Sequence, residues 1–326
     1  MATPNGHRAI YQALLSERLG LARSTGTIGP RRAWMLLRAR NLVFATLDDQ
    51  PLGFFAVALA RAVARRRTVA LMLRPQACFE ASRPNSHARR LAFAALRRVP
   101  GIAVLTIVPF AVRACYAQVA TGWLHDPQSW DGFGLGGAGH WPATPLSETV
   151  RAMAGGRAVL AALGTVTPIK GLARLLSMVD RDPACADRFV VVIAGRVAPE
   201  CRPLVRALQR RGALVFDRFV TDRELASLYG IARFVWCCYQ PRYDQASGVF
   251  GRAVQAGAIP IVRDGSVIAD LARAMGWPHL PVAWDRPAPL GAVLEAAPST
   301  APGPSDARIT ALAQQGLRTI ARSLGP

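Results

Sequence analysis

The sequence has 40 basic side chains, of which 39 are arginine and one is lysine, Lys170. That lysine lies in residues 163–171 (LGTVTPIKG), directly after an apolar run and at the start of a helical pattern. An ammonium there can meet a phosphate as a mobile point charge. An exposed lysine at a helix start is the alternative, but under this arginine bias a generic surface cation would have been written as arginine. The second candidate is residues 243–262 (YDQASGVFGRAVQAGAIPIV). Ser247, Gly248 and Val249 open a helix, whose first N–H groups have no intrahelical partners and point outward with the helix dipole, as a diphosphate site requires. A serine N-cap followed by a packing glycine accounts for the same residues equally well. The six cysteines form no CxxC pair and no histidine stands at zinc-finger spacing, so no metal constellation is visible and reduced thiols are expected.

These residues must be positioned by alternating strands and helices. In the first half the patterns read as a helix over 8–23, strands over 41–48, 68–73 and 102–108, and helices over 52–66 and 86–98. A Gly/Pro/Trp-rich stretch over 130–147 lacks periodicity and reads as a linker. The second half repeats the alternation, with strands over 158–163, 189–194, 213–216, 234–239 and 259–262. Helices are expected over 172–179, 202–211, 222–229 and 249–256, and a last one over 306–323. Near-continuous apolar strands between helices predict parallel sheets covered on both faces. Two Rossmann-like domains follow, over 1–131 and 148–326 with a linker over 132–147. Ligands are expected beyond the C-terminal ends of the strands, in loops after Leu163, Ala194, Phe216 and Tyr239.

Charge adds a partner class. The formal net charge is +20, and residues 1–125 hold 18 arginines against Glu17, Asp48, Asp49 and Glu80, a net of +14. Residues 86–101 (SHARRLAFAALRRVPG) read as a short basic amphipathic helix. Leu91, Phe93 and Leu96 could embed in a bilayer while Arg89, Arg90, Arg97 and Arg98 meet headgroups, or the apolar side could pack on its own sheet. The longest charge-free apolar stretch, 99–112, is broken by Pro100 and Pro109, so no spanning helix is expected. No signal region opens the chain, and a cytoplasmic protein, peripheral on the inner face of the cell membrane, is the expectation. No DNA or RNA motif accompanies the charge, which argues against nucleic acid.

Four motifs in order, LGTVTPIKG, FVVVIAGRV (189–197), DRFVTDRELASLYGIARFVWCCYQ (217–240) and the 244–257 element, resemble those of the retaining glycosyltransferases of family 4. The resemblance covers about 158–262 well and is weaker elsewhere. It implies a GT-B fold, two Rossmann-like parallel-sheet domains facing a central crevice, and transfer of a sugar from a nucleotide-sugar donor to a glycan or lipid-linked acceptor in polysaccharide or glycolipid synthesis. It implies no cofactor, the nucleotide sugar being a substrate, and no metal.

Position by position, the resemblance implies that Lys170 contacts the donor diphosphate, that the Ser247, Gly248 and Val249 amides hold it, and that the Phe219–Val220 backbone contacts the base. Gly164, Thr165 and Arg196 fall in the matching donor-side loops. The family's Glu-x7-Glu pair is here Asp244, still an acceptor for the donor sugar, and Arg252, whose guanidinium cannot accept a hydrogen bond from ribose. Arg252 would then either bind phosphate, replacing a base absent at Gly164 or Thr165, or mark a degenerate site. On the acceptor side, Gly6 and His7 match a crevice-facing loop and helix, with the family's usual first strand missing before them, and Arg74 stands near the place of a family histidine. His125 reads as structural or crevice-lining. The rival reading is a non-catalytic protein of the same fold that binds an anionic glycan, lipid or nucleic acid.

Overall fold

The computed structural model describes residues 6–48, 50–80, 83–132, 141–298 and 306–325. The chain divides into two compact units, one of residues 1–127 with 310–326 and the other of residues 128–309.

The first unit is built on a parallel sheet in the order β1 (Val43–Phe44), β2 (Thr68–Met72), β3 (Ile102–Thr106), β4 (Gly122–Trp123). Every residue of β2 is buried. Successive side chains of a strand point to opposite faces, so Ala70 and Met72 join one core with Phe54, Ala58, Phe93 and Leu96, while Val69 and Leu71 join another with Tyr11, Leu15, Leu124 and Ile320. Apart from Leu124, which follows β4, these partners come from α1 (Gly6–Leu19), α3 (Pro51–Val63), α4 (Ser86–Leu96) and α12 (Asp306–Leu324), while α2 (Pro30–Arg38) packs on α3 through Leu36 and Val57. Phe93 and Leu96 are thus core residues of α4, and Leu91 alone of the expected embedding trio is exposed. Of the two readings of this helix, packing of its apolar side on its own sheet is the one the structure shows.

Arg61 of α3 is fully buried. Its guanidinium donates to the carbonyls of Leu36, Ala39 and Arg67 at 2.8, 2.6 and 2.8 Å and to Thr68 Oγ1 at 3.0 Å. Carbonyls left without partners at the end of α2 are thereby satisfied, and the buried charge with them.

The second unit holds a parallel sheet of β5 (Ala158–Leu163), β6 (Phe189–Ala194), β7 (Leu214–Phe216), β8 (Phe234–Cys237), β9 (Ile259–Arg263) and β10 (Leu280–Val282), in the order β10-β9-β8-β5-β6-β7. The chain runs outward from β5 through β6 to β7, returns to lay β8 against the other side of β5, and continues away through β9 to β10. The order reverses between β5 and β8, the position beyond whose C-terminal strand ends such sheets bind ligands. Helices α5 (Pro145–Ala154), α6 (Leu172–Asp180), α7 (Arg202–Arg210), α8 (Asp222–Ile231), α9 (Gly248–Gln255), α10 (Val267–Met275) and α11 (Leu290–Glu295) complete the unit.

The domain bounds differ from the sequence reading in three places. Residues 133–140 of the expected linker lie outside the described residues, but its C-terminal part is structured: Thr144 caps α5, its hydroxyl accepting from Ser147 N and Ser147 Oγ accepting from Thr144 N. The first unit ends at Pro127 rather than residue 131, because the segment from Gln128 packs onto α9. The last helix does not stay with the second unit, since Leu317, Ile320 and Leu324 join the core around Tyr11.

Candidate donor site at the sheet reversal

Two glycines shape the exit from the central strands. Gly164 follows β5 at φ 81° and Gly195 follows β6 at φ 143°, both in the region that favours glycine, and a Cβ on Gly195 would overlap the Gly164 carbonyl. Thr165 is exposed on this turn. The chain then makes one tight turn over Pro168–Lys170 and passes through Gly171 at φ 69°, where a Cβ would strike the carbonyl oxygen of Cys238. This close approach fastens the loop after β5 to the loop after β8. Trp236 Nε1 donates to the Lys170 carbonyl at 2.8 Å and Gln240 N to the Ile169 carbonyl at 3.0 Å. The backbone of Lys170 is thereby fixed at the reversal point.

Its ammonium has a different surrounding. Nζ lies 4.9 Å from the centroid of the Tyr239 ring and makes no ion pair among the described residues. Burial holds its pKa below the ordinary 10.5, as expected for a cation removed from water without a counter-charge. Tyr239 also carries the other candidate. Its hydroxyl hydrogen-bonds Ser247 Oγ at 2.8 Å, and Ser247 caps α9, with the Phe250 N–H as the donor. One tyrosine therefore joins the lysine to the start of the helix whose first amides belong to Gly248 and Val249. Asp244, between them in sequence, accepts at Oδ1 from Arg263 Nη2 at 2.9 Å and from Val267 N at 2.8 Å. It ties the loop after β8 to the first turn of α10, and about a third of its side chain stays exposed.

Arg252 has a protein partner that the sequence reading did not include. Gly248, Gly251, Arg252 and Gln255 occupy one face of α9 at i, i+3, i+4 and i+7, and the segment 128–132 lies on that face. A Cβ on Gly251 would come within 2.8 Å of the Gln128 carbonyl oxygen and 2.9 Å of Ser129 Oγ. Arg252 Nη2 donates to Asp131 Oδ2 at 3.0 Å, Gln255 Nε2 donates to Gln128 O at 2.6 Å and Asp131 Oδ1 at 3.0 Å, and Gly132 N donates to Gln255 Oε1 at 3.0 Å. Burial alone would lower the Arg252 pKa, but the Asp131 carboxylate outweighs it and holds the guanidinium above its usual range. The arginine is the partner of a buried carboxylate.

At the far edge of the sheet, the Arg196 guanidinium sits 5.4 Å from the Phe219 ring centroid. Phe219 is 63% exposed whereas Val220 is buried, so at Val220 only the backbone is available to a ligand. The following turn is stiff. Thr221 and Glu224 form a reciprocal cap on α8, and the hydrogen bond from Arg218 pulls the Glu224 carboxyl down to about 2. Asp217 Oδ1 accepts from Val197 N at 2.8 Å, linking the loops after β6 and β7.

The acceptor-side residues belong to the other unit. Gly6 and His7 begin α1, and Arg74 is exposed in the turn after β2. Tyr11 Oη donates to Asp126 Oδ1 at 2.5 Å, and His125 is buried with its ring 5.1 Å from that of Trp123. Sequence reasoning missed Asp48, which follows β1. Its Oδ2 accepts from Leu73 N at 2.7 Å, and burial raises its pKa against the pull of that N–H and of Arg74 and Arg89. An acidic residue closing a short apolar strand was the one available signal. Among the described residues no group of three or more His, Cys, Asp and Glu side chains is placed to hold a metal.

No protein-family model and no curated protein matches the sequence. Solved structures do resemble the fold. HepE from Anabaena, solved in complex with UDP and also with UDP and glucose, superposes with TM-scores of 0.65 and 0.62 at 14% and 15% identity, covering 99% of this chain and 96% of that one. A UDP-forming α,α-trehalose-phosphate synthase from Burkholderia vietnamiensis superposes with a TM-score of 0.53 at 11% identity, covering 99% of this chain and 85% of that one. At these identities the likeness establishes architecture, and the chain has the GT-B fold of two parallel-sheet α/β domains.

Proposed function

We propose that the chain is a glycosyltransferase that moves a sugar from a nucleotide-sugar donor to a hydroxyl acceptor, with retention at the anomeric carbon. The observation that carries this reading is the pairing, at the reversal point of the second sheet, of an ammonium with no ion pair among the described residues and a capped helix N-terminus, joined by Tyr239. Both are complementary to an anion. Departure of a nucleoside diphosphate concentrates negative charge on the leaving oxygens, and fixed donors aimed there stabilise the transition state more than the ground state. Lys170 and the Gly248 and Val249 amides would bear on the diphosphate. Asp244, one-third exposed and held by two donors, would orient the sugar hydroxyls. Gly164, Thr165 and Arg196 would line the donor side, with the Phe219–Val220 backbone toward the base.

Structures of similar fold solved with UDP favour a uridine nucleotide. The acceptor is a glycan or lipid-linked glycan. The test is incubation with UDP-glucose and related donors over a panel of glycan and lipid-linked acceptors, with UDP release and product anomeric configuration as readouts. Product of retained configuration, lost in Lys170→Ala, supports the reading. Binding of donor without turnover on any acceptor would favour the non-catalytic alternative.

A further inference from the structure

Five of the eight large hydrophobic side chains exposed among the described residues lie on α2 and α3: Trp34, Met35, Leu52, Leu59 and Val63. On α3 the exposed positions Leu52, Ala56, Leu59 and Val63 recur at i, i+4, i+7 and i+11, one stripe about 16 Å long. The helix is inverted relative to an ordinary surface helix, since its single charged residue, Arg61, points inward and its outward face is apolar throughout. Leu52 and Val63 are 84% and 87% exposed, so no packing among the described residues accounts for them.

Both helices end at an open cleft of about 460 Å³ lined by Arg38, Arg40, Arg65, Arg66 and Arg67, with no acidic residue in its wall. Arg66 donates to the Leu37 and Arg38 carbonyls and thus serves the fold. Arg38 stands over the Trp34 ring, 5.0 Å from its centroid, and Arg38, Arg40, Arg65 and Arg67 make no ion pair among the described residues. Clustered guanidinium groups match phosphate oxygens. An exposed tryptophan and an apolar stripe beside them match the boundary between headgroups and acyl chains.

We infer that α2, α3 and the arginine cleft at their ends form the surface by which this protein docks on an anionic lipid bilayer, the stripe entering the acyl boundary and the arginines binding lipid phosphates. The inference does not rest on the proposed transferase activity. A second copy of the chain or an acidic protein could also cover an apolar face, but neither requires arginines around a cleft of this kind together with a stripe that has no acidic residue in it.

Co-sedimentation with vesicles tests it, comparing phosphatidylcholine alone with phosphatidylcholine mixed with phosphatidylglycerol. The full chain should bind the mixed vesicles, release at about 0.5 M salt, and shield Trp34, read as the quenching difference between wild type and Trp34→Phe. Two surface variants, Leu59→Asp with Val63→Asp and Arg65→Glu with Arg67→Glu, should each weaken binding more than about tenfold while leaving the melting temperature unchanged. Reversal of Arg89, Arg90, Arg97 and Arg98 on α4 should have the smaller effect. Undiminished binding by both surface variants, equal binding to neutral vesicles, or a dimer in solution that Leu59→Asp with Val63→Asp dissociates would each overturn it.

Discussion

Replacing Arg252 with methionine distinguishes a structural arginine from a ligand-binding one. The guanidinium meets Asp131 at 3.0 Å, with side-chain exposures of 8% and 3%, so truncation strands a carboxylate where water does not reach. Removing one member of a buried pair costs about 3 to 5 kcal/mol. Gln255 still donates to Asp131 Oδ1 at 3.0 Å, which places the expected cost at the lower end, about 3 kcal/mol. For a unit of this size that is a fall of roughly 6 to 12 °C in melting temperature. Adding Asp131→Leu to Arg252→Met should recover most of the loss, because an apolar pair of similar volume replaces a buried ion pair at little cost. Arg252→Glu, which sets two carboxylates side by side, should be worse than either. Scanning calorimetry of the three variants and wild type, with UDP titrated into each, gives both stability and affinity. A methionine variant that melts like wild type and yet loses UDP affinity would refute the structural assignment and return Arg252 to the phosphate site.

Three further outcomes are expected. Gly171→Ala places a Cβ against the Cys238 carbonyl at a left-handed φ of 69°, and should cost about 2 kcal/mol or more in urea unfolding while displacing Lys170 and weakening nucleotide binding. Burial pushes the Cys185 thiol up to about 11 and the Cys237 and Cys238 thiols up to about 12, so iodoacetamide at pH 8 should label the half-buried Cys115 first, as mapped by mass spectrometry. Early labelling of Cys237 would contradict the burial of that strand end. Because a diphosphate favours the ammonium form, it raises the Lys170 pKa on binding. Affinity should therefore be full while the free protein is protonated and fall as pH rises through a pKa below 10.5; a Lys170→Met protein should lack that dependence.

The parts of the fold legible in the sequence were those whose own residues state their burial. The run FVVVIA became β6, buried along its whole length, and TVALM became β2. The strand at residue 43 shrank to two residues, because only Val43 and Phe44 find ladder partners on β2. Helices α2 and α5 were missed for one reason. Each starts at a proline inside a stretch that reads as loop, Gly29-Pro30 and Thr144-Pro145, although proline in a helix's first turn is favourable and Ser147 completes the cap of α5. Lys170 and Ser247 could be singled out as candidates because arginine bias and helix-start chemistry are local signals. Tyr239, which joins them, looked like an ordinary strand-end aromatic. The Arg252–Asp131 pair spans 121 residues, and a single sequence holds no signal of it; only the i, i+3, i+4, i+7 spacing of Gly248, Gly251, Arg252 and Gln255 hinted that something packs there.

The most direct test of the donor site is calorimetric titration of UDP into wild type and Lys170→Met at neutral pH. Methionine keeps the side-chain length and removes the charge, and the apo protein should be no less stable for losing a desolvated ammonium. Wild type should bind UDP, and the variant should bind roughly 10- to 150-fold more weakly, the loss of one charge-assisted hydrogen bond of about 1.5 to 3 kcal/mol. Equal affinities, or a wild type that binds no nucleoside diphosphate, would contradict the account.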